Sequence, residues 1–271
     1  MVTPIPFEPH RFESAASHYL AGRPAYAPRL IERVAELCAL RDTDRVLDLG
    51  CGPGQLAVAF APLVGDVVAM DPEPEMLRVA AIAAAEVGGK VTFVNGSSYD
   101  IDPSLGRFRL VTIGRAFHWM DRIETLRRLD ALIEPDGAVA LLGDDHPGIP
   151  DNAWLADYRS LIDRFAGDDA RRSLHRSPDW IRHEAVLLDS PFNRLESIGV
   201  IERRQTTVES LVERALSMSS TSRGRIGERA DELAQGIREM MTVHARNGAV
   251  TEVVESYALV AWRAPAAASR S

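Results

Sequence analysis

Residues 45–76 read RVLDLGCGPGQLAVAFAPLVGDVVAMDPEPEM. A short apolar run (Val46, Leu47, Leu49) is interrupted by Asp48, enters Gly50, Gly52 and Gly54, and continues into an Ala/Leu/Val-rich stretch with helical spacing. That pattern predicts strand, tight turn and helix. A second apolar strand, Val67 to Met70, ends at another acid, Asp71. Glycines at such a turn let the backbone approach a ligand that a Cβ would exclude, and an acid closing the next strand can hold a ribose through both hydroxyls. The stretch predicts an adenosine-containing cofactor.

A dinucleotide turn, G-x-G-x-x-G, requires glycine at position 55, where this chain has Gln55. An anionic pyrophosphate is poorly served by Asp48 pointing into its pocket, whereas a cationic sulfonium amino acid is not. D-x-G-x-G-x-G followed by an acid resembles motif I and the ribose position of the class I S-adenosylmethionine-dependent methyltransferases, small-molecule (type 11-like) subgroup. The resemblance implies S-adenosylmethionine as methyl donor and S-adenosylhomocysteine as product, held by Asp48, Gly50, Cys51, Gly52, Gly54, Asp71 and Pro72. It implies further that Met76 covers one adenine face, although a core methionine fits the same position. Ser97 and Ser98, in the turn NGSSYD, would meet the adenine edge where many relatives carry an acid.

Ahead of this stretch lies an N-terminal arm, residues 1–26, with Pro4, Pro6 and Pro9 and then SHYLAGRPAYA. Tyr19, Arg23, Pro24 and Tyr26 resemble the Y-x-x-x-R-P-x-Y-P segment of many small-molecule methyltransferases, with Ala27 in place of the last proline. In such relatives the arm folds over the cofactor. Tyr19 and Arg23 are then expected near its methionine end or the substrate, and Tyr26 near substrate; surface packing is the alternative. Leu30, Ile31, Val34, Leu37 and Cys38 form the apolar stripe of an amphipathic helix that should pack on the sheet.

Beyond Asp71, MLRVAAIAAAEV reads as a helix, Val91 to Val94 as a third strand, and Phe108 to Ile113 as a fourth. Asp121 can cap the following helix, whose expected buried face is Ile123, Leu126, Leu129, Leu132 and Ile133. PDG at 135–137 should stop it before a fifth strand, Ala138 to Leu142. Strands alternating with helices predict an α/β fold, a doubly wound, mostly parallel seven-stranded Rossmann-like sheet. Right-handed crossovers gather Asp48, Asp71, Ser97, Arg115 to Trp119 and Asp144 to His146 at one edge, where such sheets bind ligands. Arg115 is counted there with the cofactor.

The expected division is an arm and first helix (1–44), the cofactor-binding half (45–143), a helical cap inserted after strand five (144–190), the C-terminal part of the core (191–265) and a tail (266–271). Strand six is expected at Ser197 to Thr207, and VTEVVESYALVAWR as the seventh, which in this fold runs antiparallel at the sheet's edge.

A formal net charge of −8 opposes a nucleic-acid partner, since that affinity rests on Lys and Arg neutralising phosphates; a local basic patch, for example around Arg171, Arg172 and Arg176, stays open. Cys38 and Cys51 suggest no disulfide framework. With no basic-then-apolar leader and no long apolar run, a cytoplasmic protein without membrane contact is expected, a monomer or homodimer acting on a small molecule.

Methyl transfer from a sulfonium is an in-line displacement in which positioning and exclusion of water supply much of the rate. A hydroxyl or weakly acidic carbon needs a base, and His118, just past strand four, is the candidate; orienting substrate or bonding the backbone is its other reading. Phe117, Trp119, Trp154 and Tyr158 can line an aromatic substrate pocket, or serve as packing. His146, beside Asp144 and Asp145, is assigned to substrate rather than metal, because three adjacent residues of one loop do not readily turn to one ion. No metal is expected. GRAF after strand four, in place of a Pro-Pro-aromatic motif, speaks further against nucleic-acid bases. The expected function is methylation of oxygen, nitrogen or carbon of a small metabolite in secondary metabolism. The alternatives are a carboxylate methyltransferase for aconitate-like acids, with Arg23 or Arg115 recognising the acid, a silent cofactor-binding protein, and a nicotinamide oxidoreductase on the same sheet type.

Overall fold

The computed structural model describes residues 16–87, 90–167 and 177–265. Pro4, Pro6, Pro9, the Arg171, Arg172 and Arg176 patch and the expected tail at 266–271 lie outside the described residues.

Seven strands form one sheet in the order β3-β2-β1-β4-β5-β7-β6. They are β1 (Arg45–Leu49), β2 (Asp66–Asp71), β3 (Val91–Asn95), β4 (Phe108–Gly114), β5 (Ile133–Asp145), β6 (Arg194–Thr207) and β7 (Ala249–Trp262). The β3-β2-β1-β4-β5 run is parallel. Two corrections to the sequence reading follow. β7 is antiparallel but lies inside the sheet, between β5 and β6, and β6 takes the edge. β5 continues through the PDG turn, absorbing it as a register shift opposite β4 between Phe108 and Leu110.

The two sheet faces bury separate cores, as alternation along parallel strands requires. On one face, α2 (Pro28–Leu37) and α3 (Gln55–Phe60) cover Val46, Val67, Leu110, Ala140 and Val260. On the other, α5 (Arg122–Leu132) and α7 (His183–Leu188) cover Leu47, Leu49, Val111, Val139 and Ala261. The Asp121 side chain accepts from the Glu124 amide and caps α5, a contact worth about 1 kcal/mol. The buried face of α5 is rotated from expectation: Ile123 is exposed, and Arg122 and Thr125 are buried with Leu126, Leu129 and Leu132.

A third apolar cluster joins α6 (Trp154–Ala166), α8 (Val208–Leu216) and α10 (Arg229–Met241) into a helical layer, with the short α9 (Arg223–Ile226) between the last two. The layer is thus assembled from both sides of β6, and α7, placed by the sequence reading in the cap, packs under the sheet instead. α1 (Ala16–Gly22) lies against α8, and α4 (Pro74–Val87) flanks β2 and β3.

Candidate active site

The turn after β1 is shaped by backbone. The Gly50 and Cys51 amides both donate to the Met70 carbonyl of β2. Gly54 starts α3 at φ +83°, and a Cβ there would stand 2.9 Å from the Ala80 side chain, so glycine alone permits α3 and α4 to approach. Gly52, at φ +52°, has nothing within 4 Å of where its Cβ would be. It lines a cleft of about 780 Å³, open space at its entrance included, which runs across the carboxyl ends of β1, β2, β3 and β4.

The cleft is walled by Asp71, Pro72, Met76 and Ser98, which follow β2 and β3, and by Tyr19 of α1 and Gly114, Arg115, Trp119 and Met120 at and after the end of β4. Asp71 is 7% exposed, and each of its oxygens takes one backbone amide, from Gly52 at 2.8 Å and Glu73 at 2.9 Å. Burial outweighs these two donors and pushes its carboxyl up to about 6. Met76 is buried and forms wall. Ser97 reaches the cleft too, but its hydroxyl donates to Asp100 and accepts from the Tyr99 amide, closing a cap at 98–100; Ser98 is the serine not spent there.

Asp48 departs from expectation. Its side chain does not enter the cleft but turns beneath the glycine loop, accepting from the Ala57 amide at 2.9 Å and the Thr112 hydroxyl at 3.0 Å. The reason is topological: in β1, Val46 and Asp48 share the α3-facing side, so the carboxylate meets the first turn of α3, whose free amides favour an acceptor. Burial pushes it up to about 7, against the two donors. Cys51 is also behind the wall, and burial raises its thiol well above the ordinary range, as does the nearby Asp48. Gly54 acts from the same layer.

Of the residues assigned to substrate, Trp119 lines the cleft and the other five do not. Phe117 is 2% exposed in the core under α5. Trp154 and Tyr158 pack inside the helical layer, where the indole N–H donates to the Thr251 carbonyl and the phenol to the Leu211 carbonyl. The amphipathic face of α6 that suggested an aromatic pocket is its packing face. Tyr26 is buried under the arginine side chain of Arg115. His146 pairs with the fully buried Glu252, 2.7 Å away. Arg214, Arg204 and the Thr206 hydroxyl also bond Glu252, which ties β6, β7 and α8 together. His118 sits half-buried in the turn Phe117–Trp119, its ring 4.7 Å from that of Trp119. Arg23 does not reach the wall; its guanidinium donates to the Ser217 hydroxyl.

The sequence reading missed Leu49, Glu73, Gly96, Tyr99, Gly114, Ala116 and Met120, which complete the cleft. Glu73, 4% exposed two residues after Asp71, was accessible to a rule counting past strand ends; Met120 was not, because it enters by the fold of the β4–α5 turn. Among the described residues no cluster of three metal-ligating side chains occurs, and no helix is long and apolar enough to cross a membrane.

Residues 46–137 match the family profile described as a methyltransferase domain. An uncharacterized methyltransferase of Mycobacterium tuberculosis is 27% identical over 236 residues, 86% of each chain. A candidate type II methyltransferase from Anaeromyxobacter dehalogenans shares the fold with a TM-score of 0.63 at 21% identity, covering 89% of this chain and 97% of that one. A methyltransferase from Geobacter sulfurreducens, solved with S-adenosylhomocysteine, superposes with a TM-score of 0.53 at 16% identity, covering 95% and 99%. Residues 46–137 thus match a methyltransferase domain, and the glycine turn and strand order resemble those of the class I S-adenosylmethionine-dependent methyltransferases. The cleft fits that cofactor on its own features: open space beside the Gly52 backbone, which lines it, and a buried carboxylate at Asp71 whose oxygens each hold one amide and keep further lone pairs for hydroxyls.

Proposed function

We propose that this enzyme methylates an uncharged small molecule seated at the Tyr19–Trp119–Met120 end of the cleft. The observation that carries this reading is the make-up of that end, where the wall is apolar and aromatic and its one charged side chain, Arg115, is already paired with Asp144. Such a wall favours an apolar or aromatic acceptor over an acid, because an acid needs a donor not already committed. The reading of an aconitate-like acid gains support from neither of its two arginines, since Arg115 is paired with Asp144 and Arg23 does not reach the wall.

The cofactor supplies an activated methyl group on a sulfonium. Asp71 would take the ribose hydroxyls, Met76 and Pro72 would flank the adenine, and Ser98 would meet its edge. The open backbone at Gly52 would pass the methionine portion. Tyr19 and Trp119 would hold the acceptor in line and exclude water, which shortens the search for the reactive geometry. Where the acceptor carries a hydroxyl or a weakly acidic carbon, we assign its proton to His118, one residue from the cleft wall.

A methyl-transfer screen with labelled cofactor tests this, using neutral aromatic, amine and carboxylate acceptors. Turnover of neutral acceptors, lowered at least about tenfold by His118→Gln when the acceptor is a hydroxyl, supports the reading. Turnover confined to carboxylates overturns it, and cofactor binding without product from any acceptor favours a silent binding protein.

A further inference from the structure

Arg115 is a non-glycine residue at φ +54°, in the left-handed region that costs a side-chain-bearing residue energy, so its surroundings must over-determine it. They do. Its backbone amide donates to the Leu142 carbonyl of β5. Its guanidinium pairs with Asp144, donates to the Gln55 amide oxygen at 3.1 Å and the Pro24 carbonyl at 3.2 Å, and lies 4.3 Å above the Tyr26 ring. Gln55 returns to the same arm, its amide nitrogen donating to the Arg23 carbonyl at 3.0 Å. Burial would raise the Asp144 carboxyl, yet Arg115 and Arg23 outweigh it and hold it below the usual range. The pair stays charged.

Beyond Arg23 the arm crosses to the helical layer. His18 bonds Glu213, the Gly22 carbonyl accepts from Arg214, and Tyr19 between them forms cleft wall. The described part of the arm, residues 16–26, is held on two sides, and the sheet-side anchor uses the first residue of the helix that the glycine turn opens. Gln55 stands where a dinucleotide turn requires glycine, so the same position that excludes one cofactor class fastens the arm.

We propose that Gln55, Arg115 and Asp144 are positioning residues that hold the arm closed, with Tyr19 over the methyl-donor end of the cleft, and so couple cofactor occupancy to arm closure. The inference rests on the methyltransferase reading. Because α3 opens from the cofactor turn and carries Gln55, an occupied turn and a fastened arm stabilise each other, and linkage makes that effect reciprocal.

The test uses the full chain with S-adenosylhomocysteine as probe, and compares wild type, Arg115→Lys and Gln55→Met. Lysine keeps the charge near Asp144 but loses the fork and the stacking; Met removes both Gln55 bonds without stranding a charge. In wild type, saturating probe should slow amide exchange across residues 19–26. Both variants should lose that slowing and release the probe at least about tenfold faster, and their turnover should fall through KM more than kcat. Should Arg115→Lys fail to fold, Gln55→Met alone decides. Unchanged exchange and unchanged release in Gln55→Met, with wild type binding the probe, overturn the proposal while leaving the methyltransferase reading intact. No binding by wild type overturns both.

Discussion

The molecule buries two sets of carboxylates and treats them in opposite ways. Asp48 and Asp71, on β1 and β2, receive only uncharged donors, backbone amides and a threonine hydroxyl, and burial pushes them up to about 7 and about 6. Asp144 and Glu252, at the far side of the sheet, receive arginines. Burial would raise them as well, but Arg115 at Asp144, and His146, Arg214 and Arg204 at Glu252, hold both below the ordinary range. The difference separates jobs. A carboxylate without an ion pair that lines the cleft, as Asp71 does, retains lone pairs for a ligand, whereas an ion-paired one is finished structure.

The largest expected effect lies in the finished set. Glu252→Ala strands Arg214, itself 7% exposed, and should lower unfolding free energy by about 3–5 kcal/mol in denaturant titrations. Glu252→Gln, which keeps the shape and one acceptor, should cost less. Equal stability of the alanine variant and wild type would erase the distinction between the two sets. In the unpaired set, Asp71→Asn should weaken S-adenosylhomocysteine about 10–100-fold, the magnitude of hydrogen bonds to a charged acceptor, with the unfolding midpoint nearly kept. For the same reason wild-type affinity should fall as pH drops below about 6, where Asp71 takes up a proton.

Asp48 sharpens the comparison through stability alone. Its folded value lies above the unfolded value of about 3.9, so the folded chain holds the proton more tightly. The stability this group contributes is full below about pH 4 and is lost as pH rises through about 7. Asn at position 48 never ionises. The stability of Asp48→Asn relative to wild type should therefore climb between pH 4 and pH 8, by on the order of 1–4 kcal/mol. A gap independent of pH would mean that the buried carboxyl does not carry the strain assigned to it.

The same division governs what the sequence discloses. The glycine turn and the strands from Arg45 to Leu142 are legible because each is set by local alternation and by turn chemistry. Residues 144–190 mislead as a single cap, since α6 buries its apolar stripe against α8 and α10, partners that lie beyond β6. A stripe states that a helix packs and does not state on what. Trp154 and Tyr158 look like a substrate pocket for that reason, and Ile123 looks like core. Asp48 shows the complementary error. The acid at the strand end is readable, but its direction follows from strand alternation, which places it under the turn with Val46 rather than in the cleft. Gln55 is legible only as a glycine that is missing, and the hydrogen bonds it makes to Arg23 and Arg115 join segments that no local rule connects.

Calorimetric titration of the full chain with S-adenosylhomocysteine and, separately, with a nicotinamide dinucleotide tests the central claim most directly. One-to-one binding of S-adenosylhomocysteine, weakened by Asp71→Asn, with no binding of the dinucleotide, is the predicted result. Binding of the dinucleotide alone, or S-adenosylhomocysteine affinity indifferent to Asp71, would contradict it.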